Sequence, residues 1–137
     1  MQDLIGQDLG RYHIIERLGE GGMATVYKAF DTRLEREVAV KLIRKEAFSQ
    51  EVIERMLQRF EREAKALSKL THANIVPIID YGDEGGSPYL VMPMIDGGTL
   101  KQRLEKGAIS VTDAAHILEP IARALDYAHS RGILHRD

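Results

Sequence analysis

The sequence predicts an α+β fold: a five-stranded antiparallel sheet carrying one long helix, followed by the first helices of a helical part. Three observations carry that reading. Short segments rich in β-branched and aromatic residues come first, a stretch of helical periodicity follows, and two more strand-like segments precede a composition break.

Tyr12 to Leu18, Ala24 to Phe30 and Glu37 to Ile43 are separated by glycine-rich or charged connections and read as three antiparallel strands. From Ser49 to Leu70 the apolar residues Ile53, Met56, Phe60, Leu67 and Leu70 recur every three or four positions, which predicts one amphipathic helix. Ile75 to Tyr81 and Tyr89 to Met92, divided by a turn cluster from Gly82 to Ser87, complete the sheet. Pro77 has no amide for a ladder, so it belongs at an edge or a bulge.

The break falls at Asp96-Gly97-Gly98 and divides the chain into a lead-in (1–8), a first lobe (9–95) and the start of a second (96–137). Thr99 and Gln102 have capping-box spacing and start a short helix. A longer helix is expected from Thr112 to Arg131, closed by Gly132, with Ile117, Ile121, Leu125 and Ala128 on one face. Pro120 inside it predicts a kink or a later start. No internal repeat or low-complexity segment interrupts these elements.

Composition narrows the function. The 137 residues, 44% hydrophobic and 29% charged, suit one globular domain or one and a fraction, and disagree with disorder. A net charge of −2 with both signs interspersed gives no basic footprint for nucleic acid, so any phosphate recognition is local. With no cysteine, disulfide scaffolds, zinc-thiolate sites and thiol catalysis drop out. The N-terminus lacks the pattern of a secretory signal, and no apolar run approaches the about 18 residues of a spanning helix. The expectation is a cytoplasmic chain without a membrane segment.

Three places carry chemistry. In Gly19-Glu20-Gly21-Gly22-Met23-Ala24, small residues let backbone amides approach a phosphate, although a flexible hairpin loop has the same composition. The loop leads into the alternating strand Ala24-Thr25-Val26-Tyr27-Lys28, and this argues against a dinucleotide-binding turn, which opens a helix. Lys41 ends Val38-Ala39-Val40-Lys41 on the same strand face as Ala39, where its ammonium needs a partner or ligand, or snorkels to solvent.

A helical wheel offers that partner. With Phe60 at zero and about 100° per residue, Met56, Leu67 and Leu70 fall near 320°, 340° and 280°, and Glu63 falls near 300°. A carboxylate inside an apolar stripe is costly unless paired, which predicts a Glu63–Lys41 ion pair; at the margin of the stripe Glu63 would reach water instead. The third place is His135-Arg136-Asp137, after a helix, the Gly132 cap and Ile133-Leu134. His13, His72, His116 and His129 show no metal-ligand spacing.

Taken together, Leu18 to Tyr27, Val38-Ala39-Val40-Lys41, Phe60-Glu61-Arg62-Glu63-Ala64 and His135-Arg136-Asp137 resemble, in order and spacing, the protein kinase family and its bacterial eukaryotic-like Ser/Thr branch. The resemblance covers the chain from about Leu9 onward. It implies a kinase-like N-lobe, a hinge and the first helices of the C-lobe. It further implies that Gly19, Glu20, Gly21, Gly22, Met23, Ala24 and Thr25 form the loop over the ATP phosphates, that Lys41 contacts the α- and β-phosphates, and that Glu63 positions Lys41. Leu18, Val26 and Ala39 resemble the adenine ceiling, Met92 the gatekeeper, Pro93-Met94-Ile95 the hinge, Asp137 the catalytic base and Arg136 an arginine that grips a phosphorylated activation loop.

Ala24 replaces the third glycine of the loop, at little cost if its φ is ordinary. The larger departure is that the 137 residues stop at Asp137, short of the family's Asn and Asp-Phe-Gly, so neither Mg²⁺-holding side chain lies within them. The implied function is ATP-dependent phosphoryl transfer to a protein hydroxyl by the complete enzyme, with this stretch inactive alone. A non-catalytic module that binds nucleotide or docks on a protein, and a gene fragment without a stable fold, are the rival expectations.

Overall fold

The structure, a computed structural model, describes residues 3–135. They form one six-stranded antiparallel sheet and three α-helices, in the order β1 (Asp8–Leu9), β2 (Tyr12–Glu20), β3 (Ala24–Asp31), β4 (Arg36–Ile43), α1 (Gln50–Ser68), β5 (Asp80–Glu84), β6 (Ser87–Pro93), α2 (Leu100–Glu105) and α3 (Val111–Ser130). Across the sheet the strands run β1-β2-β3-β4-β6-β5. The predicted α+β class holds, with one strand more than the five expected. The extra strand β1 turns back through Gly10 at φ 56° and pairs Leu9 with Tyr12, a two-residue ladder too short to leave a pattern in the sequence.

The fourth predicted strand is displaced. Ile75 to Ile78 carry no ladder, and β5 begins only at Asp80, after Ile79 donates its amide to the Val91 carbonyl at 2.9 Å. Gly82 to Glu84, expected to turn, are strand. Gly85 and Gly86 both take positive φ, 56° and 83°, so a tight two-residue hairpin replaces the wider turn and frees the preceding residues to pair with β6.

Two compact units divide the described residues: one runs up to residue 69 and includes 77–94, the other comprises 70–76 and the residues from 95 onward. In the first, strict alternation along β3 buries Thr25, Tyr27, Ala29 and Asp31 and leaves Ala24, Val26, Lys28 and Phe30 half-buried. Leu9, Tyr12, Ile14, Tyr27, Ala29, Val38, Val40, Tyr89 and Val91 form its core. At the sheet's corner Arg11 pairs with buried Asp31 at 3.3 Å, and the Tyr12 hydroxyl donates to Asp80. Burial pushes the Asp31 carboxyl up, but the amides of Leu34 and Arg33 and the Arg11 guanidinium outweigh it and hold the carboxyl below its ordinary range.

In the second unit the capping box of α2 is complete, with the Thr99 side chain accepting from the Gln102 amide and the Gln102 side chain accepting from the Thr99 amide. Helix α3 starts at Val111, with the Ser110 side chain accepting from the Asp113 amide, so Pro120 lies inside it and a later start is excluded. Its buried residues are Ala124 and Ala128, whereas Ile121 and Leu125 of the predicted apolar face are 42% and 38% exposed. The Tyr127 hydroxyl accepts from the Thr71 amide at 3.0 Å, and the Arg131 guanidinium stacks 3.7 Å from the Tyr127 ring centre, tying the end of α3 to segment 70–76.

Candidate functional site

Register decides which side chains share a face. Val26, Lys41 and Leu90 are cross-strand partners on β3, β4 and β6, and the next rung of the same face aligns Lys28, Ala39 and Met92. This face is open: Lys41 is exposed, and Val26, Ala39, Leu90 and Met92 are half-buried. Directly opposite residues point the same way, so Val26, Ala39, Lys41 and Met92, singled out from the sequence, stand together. Two register shifts in β2, between Ile14 and Glu16 and between Arg17 and Gly19, bend the strand as it enters the loop, with Leu18 inside the second and Gly19 just after it. Pro93 ends β6 and pairs with Val38 on the core face, Met94 is half-buried and closes the first unit, and Ile95 is 64% exposed.

The glycine-rich loop joins two strands, as its sequence context predicts. The Gly21 amide donates to the Ala24 carbonyl at 2.8 Å, while no backbone hydrogen bond among the described residues engages the amides of Gly22 or Met23. The glycines separate by cause. Eight of the 12 take positive φ, and at Gly82 a Cβ would run into the Tyr89 ring. Only Gly19, Gly21 and Gly22 answer to neither cause: none has a left-handed φ, and a Cβ on Gly19 or Gly22 would meet no atom within 4 Å.

The loop is also held from outside. Arg44, just past β4, brings Nη1 to 2.8 Å from Glu20 Oε1, and Arg17 Nη1 lies 2.9 Å from Glu20 Oε2. Sequence reading missed Arg44, because nothing in the run Lys41-Leu42-Ile43-Arg44 shows that the strand returns its end to the loop.

The predicted Glu63–Lys41 ion pair is absent: the ion pairs among the described residues do not join these side chains, and Glu63 is exposed. The wheel explains why. Half-buried Val52, Ile53, Met56, Leu57, Phe60 and Leu67, with buried Ala64, centre the packed stripe near Phe60, so Glu63 falls about 60° off, at the margin. Leu70, which pulled the expected stripe toward Glu63, lies beyond the end of α1. Phe60 itself meets Tyr81 edge to face at 6.2 Å.

His135 is exposed, and Arg136 and Asp137 lie outside the described residues. Among the described residues no three His, Asp or Glu side chains gather to hold a metal ion, and no helix is long and apolar enough to cross a membrane.

A strand-loop-strand hairpin with unexplained glycines, a lysine on the adjoining open face and a long helix against that sheet are the parts of a lobe of the protein kinase fold. The family model for the protein kinase domain matches residues 12–137. This chain belongs to the protein kinase family.

It is similar to the probable serine/threonine-protein kinase PknB of Lactococcus lactis, 44% identical over 129 residues, and to the serine/threonine-protein kinase PrkC of Bacillus subtilis, 43% identical over 136. Those alignments take in 93% and 98% of this chain and 20% of each relative, so the chain spans a small part of the curated relatives it matches. Among solved structures, the Mycobacterium tuberculosis PknI kinase domain superposes with a TM-score of 0.83 at 29% identity, over 97% of this chain and 53% of that one. Rad53 in complex with AMP-PNP superposes with a TM-score of 0.80 at 33% identity, over 93% of this chain and 32% of that one.

Proposed function

We propose that these residues are the nucleotide-binding part of a serine/threonine kinase that moves the γ-phosphoryl group of ATP to a protein hydroxyl. The observation that carries the reading is the set Gly19, Gly21 and Gly22, which neither backbone conformation nor packing demands, beside the open face of Lys41. Glycine kept without a structural reason marks a backbone that something must approach closely.

The donor set suits a triphosphate. The amides of Gly22 and Met23 are free to donate to phosphate oxygens, Lys41 supplies a fixed charge for the α- and β-phosphates, and Leu18, Val26, Ala39 and Met92 offer an apolar surface for adenine. Backbone groups of Pro93, Met94 and Ile95 would read the base edge, with residues 9–95 as the nucleotide lobe and 96–137 as the start of the second. Glu63 would turn in to orient Lys41 once a nucleotide is bound; Asp137 would accept the proton of the substrate hydroxyl, and Arg136 would hold a phosphorylated loop. When bound, Mg²⁺-ATP supplies the transferable phosphoryl group and the charge neutralisation its departure needs.

The 137 residues contain no Asp-Phe-Gly, so phosphoryl transfer by them alone is expected to be negligible. Calorimetric titration with ATP and magnesium, beside Lys41→Ala and a circular dichroism melt, tests the reading. Saturable binding that weakens at least about tenfold in Lys41→Ala is expected. A chain that melts cooperatively yet binds no ATP overturns it.

A further inference from the structure

We infer that Arg44 is a positioning residue for the glycine-rich loop, setting its affinity for the phosphate tail of a nucleotide and leaving its affinity for the base unchanged. The inference rests on the nucleotide-binding reading above. Arg44 grips the loop at three points. Its Nη1 pairs with Glu20 Oε1 at 2.8 Å and donates to the Gly21 carbonyl at 3.2 Å, and its backbone amide donates to the Met23 carbonyl at 2.9 Å. The Gly21 amide is fixed by the Ala24 carbonyl at 2.8 Å, so Gly22 alone in the loop has no anchor of its own.

Peptide geometry gives the grip a direction. No peptide bond among the described residues is cis, so each carbonyl and the following amide point opposite ways in one plane. Drawing the Gly21 carbonyl onto Arg44 therefore turns the Gly22 N–H away from Arg44, and the free donor at the tip is aimed by a side chain that never touches the ligand.

Charge makes the second half of the argument. A carboxylate within the loop repels phosphate, and Glu20 sits exposed there. Arg17 on one oxygen and Arg44 on the other neutralise it, leaving the cluster one positive charge in excess. Removing Arg44 releases the Gly21 carbonyl and leaves Glu20 with Arg17 alone.

The test compares ATP and adenosine binding to the full chain, unaltered and as Arg44→Ala, Arg44→Lys and Arg44→Ala/Glu20→Gln, with hydrogen exchange at the loop amides. Arg44→Ala weakens ATP roughly tenfold, the loss of one charge-assisted contact, with adenosine unchanged and the Gly21 amide exchanging faster. Arg44→Lys recovers part of the loss, since it keeps the charge without the planar guanidinium that sets Nη1 on Glu20 and Gly21 together. Glu20→Gln in the alanine background also recovers part of it.

Equal weakening of ATP and adenosine, or ATP affinity and Gly21 exchange both unchanged in Arg44→Ala, overturns the inference while the nucleotide reading stands. Failure of the unaltered chain to bind either compound removes both.

Discussion

Lys41 and Glu63 lie on the same side of the sheet without forming an ion pair. Phe60 of α1 meets Tyr81, Tyr81 is the cross-strand partner of Leu90, and Leu90 is the partner of Lys41, so α1 leans on the face from which Lys41 projects. Glu63, one turn on from Phe60, nevertheless remains in solvent. An exposed carboxylate without a partner adds little to stability, so Glu63→Gln should change the unfolding free energy of the nucleotide-free chain by less than about 0.5 kcal/mol. Urea denaturation checks this; a loss near the roughly 3 kcal/mol of a broken buried pair would mean that Glu63 is paired after all.

The glycines allow function and folding to be separated. At Gly19 and Gly22 an added Cβ meets nothing and the backbone is not left-handed, so Gly19→Ala and Gly22→Ala should hold the melting temperature or raise stability by about 0.4–1 kcal/mol through the unfolded chain. The same substitutions crowd the phosphate approach and should weaken ATP binding. Gly82→Ala is the opposite case: its Cβ would meet the hydroxyl end of the buried Tyr89 ring, 2.5 Å from Cζ, and should cost about 1–3 kcal/mol of stability, read by the same melts. Destabilisation by Gly19→Ala or Gly22→Ala as large as that of Gly82→Ala would assign the loop glycines to folding.

What was legible in the sequence follows from the range of each interaction. The strands from Tyr12 to Ile43 and the capping box at Thr99 depend on neighbours a few residues apart, and the expected elements match β2 to β4 and α2 closely. The face shared by Ala39 and Lys41 was likewise readable from alternation. Strand β5 was not, because Ile75 to Ile79 have strand composition while the hairpin at Gly85-Gly86 fixes which residues pair. The exposure of Glu63 and the reach of Arg44 to Glu20 were hidden for the same reason: each depends on where α1 and the end of β4 settle against distant residues.

The tyrosines predict how the first unit fails in alkali. Tyr12, Tyr27 and Tyr89 are in its core, and burial, the largest of the influences on them, pushes all three phenols above their ordinary range. At Tyr12 the hydroxyl also donates to Asp80, a bond the phenolate cannot make. A phenol raised in the folded state favours folding below the unfolded value of about 10, and that contribution is lost as pH rises through and beyond it. Stability should therefore fall above about pH 10, with the phenolate absorbance of these tyrosines rising together with loss of the circular dichroism signal. Tyr12→Phe removes the hydrogen bond to a half-exposed carboxylate, so it should cost about 1.5 kcal/mol at neutral pH and make the alkaline fall shallower. If every tyrosine ionised near pH 10 with the fold intact, burial would not be controlling these phenols, and the packing of β2, β3 and β6 around them would have to be looser than the structure has it.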